Sequence, residues 1–181
     1  MRVLVVYASK LGGTEGIARQ VGEAFAERGI AVDVAAVADT RSLAGYDAVV
    51  IGSGLYAARW RRRARRFVRR HVEALQGMSV WFFSSGPLDA SALAGDLAPT
   101  ASVSKLAREI EISGHMTFGG YLDQHPEGFI ARQMAKRSAG DWRDPGQVSE
   151  WVHLICRQTQ VAAAIPAQRT ATSVPRESAT T

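Results

Sequence analysis

The stretch Y-A-S-K-L-G-G-T-E, from Tyr7 to Glu15, decides the fold. Before it, residues 2–7 read R-V-L-V-V-Y, a β-branched apolar run typical of a parallel strand that is buried on both faces. After it, apolar residues recur at helical spacing from Ile17 to Phe25, and Gly29 marks the end of the predicted helix. A glycine-rich turn between a buried strand and a helix predicts the first βα unit of a parallel sheet.

The rest of the chain repeats this alternation of strand and helix. Further strands are predicted at residues 31–37, 46–52, 78–84 and 115–119. Further helices are predicted at about 60–75, at 102–109 and at 145–158, the last with Pro145 in its first turn. The pattern predicts an α/β fold: a doubly wound, five-stranded parallel sheet of order 2-1-3-4-5 with helices on both faces.

Length and composition indicate one globular domain. The chain has 181 residues, of which 46% are hydrophobic and 22% are charged. We predict a domain over residues 1–161 and a disordered tail over 162–181, which is rich in Ala, Thr, Ser and Pro. Residues 120–144 form a polar, glycine-bearing insertion with a short basic helix predicted at 129–137.

Charge and cysteine content narrow the class of protein. The apolar runs are too short to span a membrane, and the N-terminus lacks a signal-peptide pattern, so we expect a cytoplasmic protein. The single cysteine, Cys156, excludes an internal disulfide, and we expect it to be a buried, inert thiol. The net charge of +5 favours anionic partners.

The loop after the first strand is suited to hold a phosphate. Gly12 and Gly13 let the backbone approach an anion, and the following helix adds its dipole. Ser9 and Thr14 can donate hydroxyl hydrogen bonds. The structural alternative is a plain turn in which Thr14 caps the helix. The G-x-x-x-x-G-K-S/T pattern is absent, which favours a single terminal phosphate over a triphosphate.

The loop after the third strand carries a second glycine pattern. Gly52, Gly54 and Ala57 match the G-x-G-x-x-A dinucleotide fingerprint, with Glu73 about twenty residues further on. That acidic residue falls inside a predicted helix instead of at the end of the next strand. We therefore interpret these glycines as positions where the lack of a side chain lets a flat ring approach the backbone.

The segment S-K-L-G-G-T, from Ser9 to Thr14, resembles the S/T-x-T-G-x-T loop of the flavodoxin family, with Leu11 in place of a hydroxyl residue. The resemblance implies a flavodoxin-like fold that binds FMN non-covalently and transfers electrons. It also implies that the loops 53–60 and 84–89 flank the isoalloxazine ring. The implied cofactor-binding residues are Ser9, Lys10, Leu11, Gly12, Gly13, Thr14, Ser53, Gly54, Leu55, Tyr56, Ala57, Trp60, Ser84, Ser85, Gly86, Pro87 and Leu88.

Tyr56 and Trp60 are the aromatic residues that the resemblance offers for stacking on the ring. Trp60 has an alternative role, because it also fits the start of the buried stripe of the predicted helix at 60–75.

Three segments are similar to the menaquinone-dependent protoporphyrinogen dehydrogenase group within that family. They are I-G-S-G-L-Y from Ile51, R-R-F-V-R-R-H-V-E-A-L from Arg65, and G-D-W-R-D-P-G-Q-V-S-E-W from Gly140. This similarity implies a heme-biosynthesis enzyme that oxidises protoporphyrinogen with a quinone acceptor, with the chemistry on FMN and no catalytic side chain. Two alternatives remain: a non-enzymatic flavodoxin-type electron carrier, although such carriers are typically acidic, and a flavin-free module that kept the fold.

Eight arginines crowd the predicted helix after the third strand, whose first turn lies on the cofactor face. Cations near a helix N-terminus cost about 0.3 to 1 kcal/mol each, so an anionic partner would explain them. We expect porphyrin propionates, an acidic redox protein, or a peripheral contact with the inner face of the cell membrane through Arg59 to Arg70. An arginine-biased composition is the alternative. We expect no nucleic acid, because no recognised binding module is present, and no metal site.

Overall fold

The computed structural model describes residues 1–89, 97–124, 132, 133, 135 and 139–164. Most of the short basic helix predicted at 129–137 lies outside the described residues, and so does the chain after residue 164. The final helix reaches Ala164, so residues 162–164 of the predicted tail are helical.

Five parallel strands form the centre of the fold. They are β1 (Arg2–Ala8), β2 (Ala31–Ala36), β3 (Ala48–Tyr56), β5 (Ser79–Ser85) and β6 (Gly114–Phe118), while β4 (Arg59–Trp60) pairs antiparallel with the end of β3. The spatial order is β2-β1-β3-β5-β6. Counted over the five parallel strands, this confirms the predicted order 2-1-3-4-5.

Helices cover both faces of the sheet. They are α1 (Gly13–Ala26), α2 (Arg62–Arg70), α3 (Val72–Gln76), α4 (Ala101–Ile110) and α5 (Pro145–Ala164). Alternate side chains of each strand point to opposite faces, so β1 places Val5 in one core with α1 and α5 and Val6 in the other with α2 to α4. Cys156 lies in the first core, as predicted, and its burial raises the pKa of the thiol.

The helix predicted over 60–75 is shorter and broken. A two-residue turn, Ala57 and Ala58, first connects β3 to β4, and both alanines have positive φ angles of 47° and 57°. Two left-handed residues are the pattern of the type I′ hairpin turn, which normally selects glycine or asparagine. The helical run that follows is interrupted at His71, where φ is −111°.

The insertion after β6 contributes a second, two-stranded sheet that the sequence did not predict. Its strands are β7 (Tyr121–Leu122) and β8 (Gly140–Asp141), paired antiparallel. The Trp142 amide donates to the Gly120 carbonyl at 3.0 Å. These contacts bring the insertion against the carboxyl end of the main sheet.

Candidate functional site

A cleft lies at the carboxyl ends of β1, β3 and β5, which is the switch point where a doubly wound sheet binds ligands. Its volume is about 70 Å³. The cleft is lined by Ser9, Leu11, Gly13, Thr14, Gly54, Leu55, Tyr56, Ser85, Gly86, Leu88, Gly120, Tyr121 and Leu122.

The first loop presents unpaired backbone amides to this cleft. Gly12 takes a left-handed conformation, with φ of 82° and ψ of −24°, immediately before α1. Its amide donates to the Ser9 hydroxyl oxygen at 3.1 Å, and its carbonyl accepts from the Gly16 amide at 2.9 Å. Within the described residues, nothing accepts from the amides of residues 13–15. These free donors, at the positive end of a helix, form a concave site for an anion.

Thr14 is part of this site and does not cap the helix. Gly12 holds the N-cap position and no side chain caps α1, so the alternative of a turn capped by Thr14 is wrong. Thr14 is 4% exposed, and its Oγ1 atom would lie 3.2 Å from a Cβ built on Gly54. The absence of a side chain at Gly54 therefore leaves this hydroxyl open toward the cleft.

Gly13 allows the insertion to pack against the first loop. A Cβ built on Gly13 would lie 3.0 Å from the backbone oxygen of Tyr121 and 3.2 Å from its nitrogen. Backbone hydrogen bonds also join the loop after β5 to the end of β6 and the residues that follow it. The Gly86 amide donates to the Phe118 carbonyl at 3.0 Å, and the Gly120 amide donates to the Pro87 carbonyl at 2.9 Å. The cleft is thus bounded by chain segments that are far apart in sequence.

Tyr121 is held in place by an arginine and a carboxylate. The Arg143 guanidinium lies 4.6 Å from the centre of the Tyr121 ring. It also donates to Asp141 through Nε at 2.7 Å and through Nη2 at 2.5 Å, and these bonds lower the pKa of that carboxyl group. This two-point contact fixes the plane of the guanidinium. The guanidinium packs on one face of the Tyr121 ring, so the opposite face points away from the cation.

The prediction that Trp60 stacks on a ring conflicts with its environment. Trp60 is 2% exposed, its ring centre lies 4.5 Å from that of Phe82, and its Nε1 donates to the Ser84 hydroxyl oxygen at 2.9 Å. Trp60 is therefore a core residue, as its alternative interpretation held, although it belongs to β4 and not to a helix. Tyr56 is 39% exposed and lines the cleft, so it is available to a ring.

Ser84 links Trp60 to a buried histidine. Its hydroxyl lies 3.0 Å from Nε2 of His115, and burial lowers the pKa of His115 from 6.5 to about 4. The ring is therefore neutral near pH 7. Ser84 accepts from Trp60, and the tautomer of the imidazole sets whether Ser84 donates to Nε2 or accepts from it; the other ring nitrogen is Nδ1. That atom is buried and has no partner within the described residues.

The structure brings most of the predicted cofactor residues together. Ten line the cleft: Ser9, Leu11, Gly13, Thr14, Gly54, Leu55, Tyr56, Ser85, Gly86 and Leu88. The others do not line it: Lys10, Gly12, Ser53, Ala57, Trp60, Ser84 and Pro87. Gly12 acts through its conformation. Ser53 is fully buried, and its hydroxyl accepts from the Arg61 amide at 3.1 Å, so it positions the approach to α2.

Sequence reasoning missed the wall formed by Gly120, Tyr121 and Leu122. The signal was available, because these residues follow directly after a predicted strand and so lie at the same edge of the sheet. The signal was overlooked because these three residues were assigned to the polar insertion at 120–144.

Comparison with known families agrees with this geometry. A family model described as "Flavodoxin domain" matches residues 4–142, which is more than half of the chain. The chain belongs to the flavodoxin domain family. This membership indicates FMN as the cofactor and electron transfer as the general activity. Comparison with curated proteins gave no match.

Solved structures share the fold at low sequence identity. A flavodoxin from the domain Archaea matches with 20% identity and a TM-score of 0.54 over 84% of this chain and 99% of its own. Oxidised flavodoxin 2 from Bacillus cereus matches with 18% identity and a TM-score of 0.57, over 87% and 99%. The rubredoxin oxygen:oxidoreductase of Desulfovibrio gigas matches with 13% identity and a TM-score of 0.63. The match covers 91% of this chain but only 37% of that longer protein.

The residues of this flavodoxin domain fit FMN. The free amides of residues 13–15 and the hydroxyls of Ser9 and Thr14 converge on one place, where they would hold the phosphate. Tyr56 and Tyr121 would flank the ring. Leu11 lines the cleft without offering a hydroxyl, so one hydrogen bond expected from the family pattern is missing.

A strongly cationic groove adjoins the cleft and shares Tyr56 with it. We name it the inner arginine groove; its volume is about 570 Å³, and it is lined by Lys10, Tyr56, Arg59, Trp60, Arg61, Arg62, Arg63, Arg65 and Arg66. The Arg61 guanidinium lies 5.6 Å from the centre of the Tyr56 ring. The Nε atoms of Arg61 and Arg65 are buried without a hydrogen-bond partner in the described part of the chain. The groove therefore places several guanidinium groups beside the cofactor site.

Over the described residues, no three His, Cys, Asp or Glu side chains are grouped as a metal site requires. No helix among them combines the length and the hydrophobicity needed to cross a membrane.

Proposed function

We propose that this flavodoxin domain is an FMN-dependent oxidoreductase that oxidises a porphyrinogen and reduces a quinone, as in heme biosynthesis. The similarity of three sequence segments to protoporphyrinogen dehydrogenases suggests the substrate, and the net charge of +5 favours an anionic one. FMN, when bound, supplies the redox chemistry. The protein contributes binding, orientation and the electrostatic field around the ring.

The inner arginine groove carries the proposal. A porphyrinogen is a large ring that bears carboxylates, and guanidinium groups bind carboxylates through paired hydrogen bonds. Because Tyr56 lines both the cleft and the groove, a ligand whose carboxylates lie in the groove has its ring close to the cofactor. The guanidinium groups of Arg61 and Arg65, which line the groove, supply donors for such groups.

Each turnover removes two electrons and two protons from the porphyrinogen and delivers two of each to the quinone, giving a quinol. The quinone accepts all the electrons that the porphyrinogen loses, so the reaction needs no further oxidant. His115, whose pKa is about 4, lies among buried residues behind Ser84, and we assign it no proton transfer. Substrate protons therefore leave through the open side of the cleft.

An anaerobic experiment tests this function. FMN-loaded protein is mixed with protoporphyrinogen, and bleaching of the flavin absorbance is followed; a menaquinone analogue is then added, and porphyrin fluorescence is followed, because three two-electron turnovers convert a porphyrinogen to a porphyrin. We expect rapid bleaching and rapid recovery. Absence of either step would refute the enzymatic proposal.

Arginine variants test the role of the groove. Arg61→Gln should raise KM for the porphyrinogen about tenfold or more, since hydrogen bonds to charged groups contribute about 1.5 to 3 kcal/mol. Arg108→Gln, an exposed arginine of α4 outside the groove, makes the same change in charge and should leave KM unaltered. An equal effect of both variants would mean that only the total charge matters.

The second candidate is a non-enzymatic carrier that exchanges electrons with protein partners. Full-length coverage of the solved flavodoxins favours it, whereas the basic groove fits it only if the partner is acidic. A carrier would show slow or absent turnover with both small molecules and fast exchange with an acidic redox protein at low salt.

We further propose a cytoplasmic location with peripheral contact to an anionic membrane through Arg59 to Arg70. The exposed arginines there would meet lipid phosphates beside the quinone pool. Cosedimentation with phosphatidylglycerol vesicles, lost at high salt and absent with phosphatidylcholine alone, is the expected result. Salt-independent binding, or none, would contradict it.

A further inference from the structure

A second arginine-lined groove lies between α2 and the loop after β2. We name it the outer arginine groove. Its volume is about 510 Å³, and it is lined by Val37, Ala38, Thr40, Arg41, Arg63, Arg66, Phe67 and Arg70. Arg63 and Arg66 also line the inner groove, whereas Arg41 and Arg70 belong to the outer one alone.

The four arginines converge from two separate parts of the chain. Arg63, Arg66 and Arg70 are spaced i, i+3 and i+7, which places them on one face of α2. Arg41 comes from the loop after β2. An arginine-rich composition of α2 alone would not bring an arginine from a separate loop to the same groove.

The loop that carries Arg41 is held in position by hydrogen bonds. The Val37 amide donates to the Tyr7 carbonyl at 2.9 Å. The Thr40 hydroxyl donates to the Ala36 carbonyl at 3.0 Å, and its oxygen can still accept a bond. The approach of Arg41 to α2 is therefore built into the end of the sheet.

Among the described residues no carboxylate lines this groove, although Asp39 belongs to the same loop as Arg41. In the described part of the chain none of its four arginines forms an ion pair. By contrast, Arg69 on the same helix pairs with Glu109 at 3.6 Å. The pKa of nearby His71 is lowered by burial and further by the charge of Arg70, as a positive local field requires.

We propose that the outer arginine groove is a binding site for a ligand with two or more phosphate groups, separate from the FMN site. Several guanidinium groups around one opening match the charge and the hydrogen-bond geometry of phosphates, which they bind in bidentate pairs. Phe67 and Val37 provide an apolar floor for the body of such a ligand. The site is independent of the substrate proposed above.

Isothermal titration calorimetry on the FMN-loaded full chain tests the proposal with inorganic pyrophosphate as the probe. We expect saturable binding that Arg41→Gln combined with Arg70→Gln weakens by about a hundredfold or more, from the loss of two charge-assisted contacts. The matched control combines Arg108→Gln with Arg157→Gln, two exposed arginines that line neither groove, and so removes the same charge elsewhere. It should bind pyrophosphate as the unmodified protein does.

A second arm distinguishes a soluble phosphate from a lipid headgroup. Phosphatidylcholine vesicles containing phosphatidylinositol bisphosphate replace pyrophosphate as the probe. Vesicle binding lost in the outer-groove variant alone, with weak pyrophosphate binding, supports the site and identifies a lipid as the source of the phosphates. Equal weakening in both double variants, or no binding of either probe, overturns the proposal. FMN absorbance and the thermal unfolding midpoint confirm in each case that the variants are folded.

Discussion

Replacing Gly12 by alanine isolates the energetic role of the left-handed residue in the phosphate loop. Gly12 has φ of 82°, and a Cβ built there meets nothing within 4 Å. The substitution therefore adds no steric overlap, and the cost comes from the conformation. For an L-residue in the left-handed region this cost is about 1 to 2 kcal/mol. At roughly 2 to 4 °C per kcal/mol for a chain of this size, the midpoint should fall by about 2 to 8 °C.

Gly12→Asn is the matched control. Asparagine also adds a side chain to the same open space, but it tolerates the left-handed region far better than alanine does. Thermal and urea unfolding of the FMN-free proteins should therefore rank glycine and asparagine close together, with alanine clearly below. The same ranking should hold for FMN affinity if the loop relaxes in the alanine variant, because the amides of residues 13–15 would then lose their alignment.

The reasoning is refuted if alanine is as stable as glycine and asparagine. That outcome would mean that the loop adopts an ordinary negative φ in solution. A loss of stability with unchanged FMN affinity would show instead that the bound cofactor does not depend on the left-handed geometry.

Three further predictions concern the site and the residues that support it. Thr14→Ala should weaken FMN binding about tenfold by fluorescence titration, through loss of a hydrogen bond to a charged phosphate, and an unchanged affinity would remove Thr14 from the site. Trp60→Phe should keep full FMN content and lose more than about 1 kcal/mol in urea unfolding, because the bond to Ser84 is removed and the smaller ring leaves a cavity in the core; loss of FMN would restore its stacking role. His115 has a pKa lowered from 6.5 to about 4, so the unfolded state takes up the proton first. Stability should be complete above pH 6.5 and fall by about 3 kcal/mol toward pH 4, with no such slope in His115→Gln.

The core architecture was predictable because its signals are local. The apolar run in residues 2–7, the glycines at 12 and 13, and the regular alternation of strands and helices each report on neighbouring residues. The phosphate loop was predictable for the same reason, since its donors come from one turn. Ten of the predicted cofactor residues line the cleft as a result.

The features that escaped prediction depend on contacts across the fold. The turn at Ala57 and Ala58 contains neither glycine nor asparagine, so no residue type signals its positive φ angles. Trp60 fits a helical stripe by spacing, yet Ser84 and Phe82 hold it in a short strand. The sheet formed by β7 and β8 has two residues in each strand, which is too short for any periodic pattern.

The contact between Gly13 and Tyr121 has a consequence for the order of events during biosynthesis. The phosphate loop leaves the ribosome early, but one wall of the cleft belongs to a segment made much later. A nascent chain that holds only the first three parallel strands has the amide donors without the surface that completes the cleft. Capture of the cofactor is therefore expected only after the last strand of the sheet has been synthesised, and until then the growing chain must persist without aggregating.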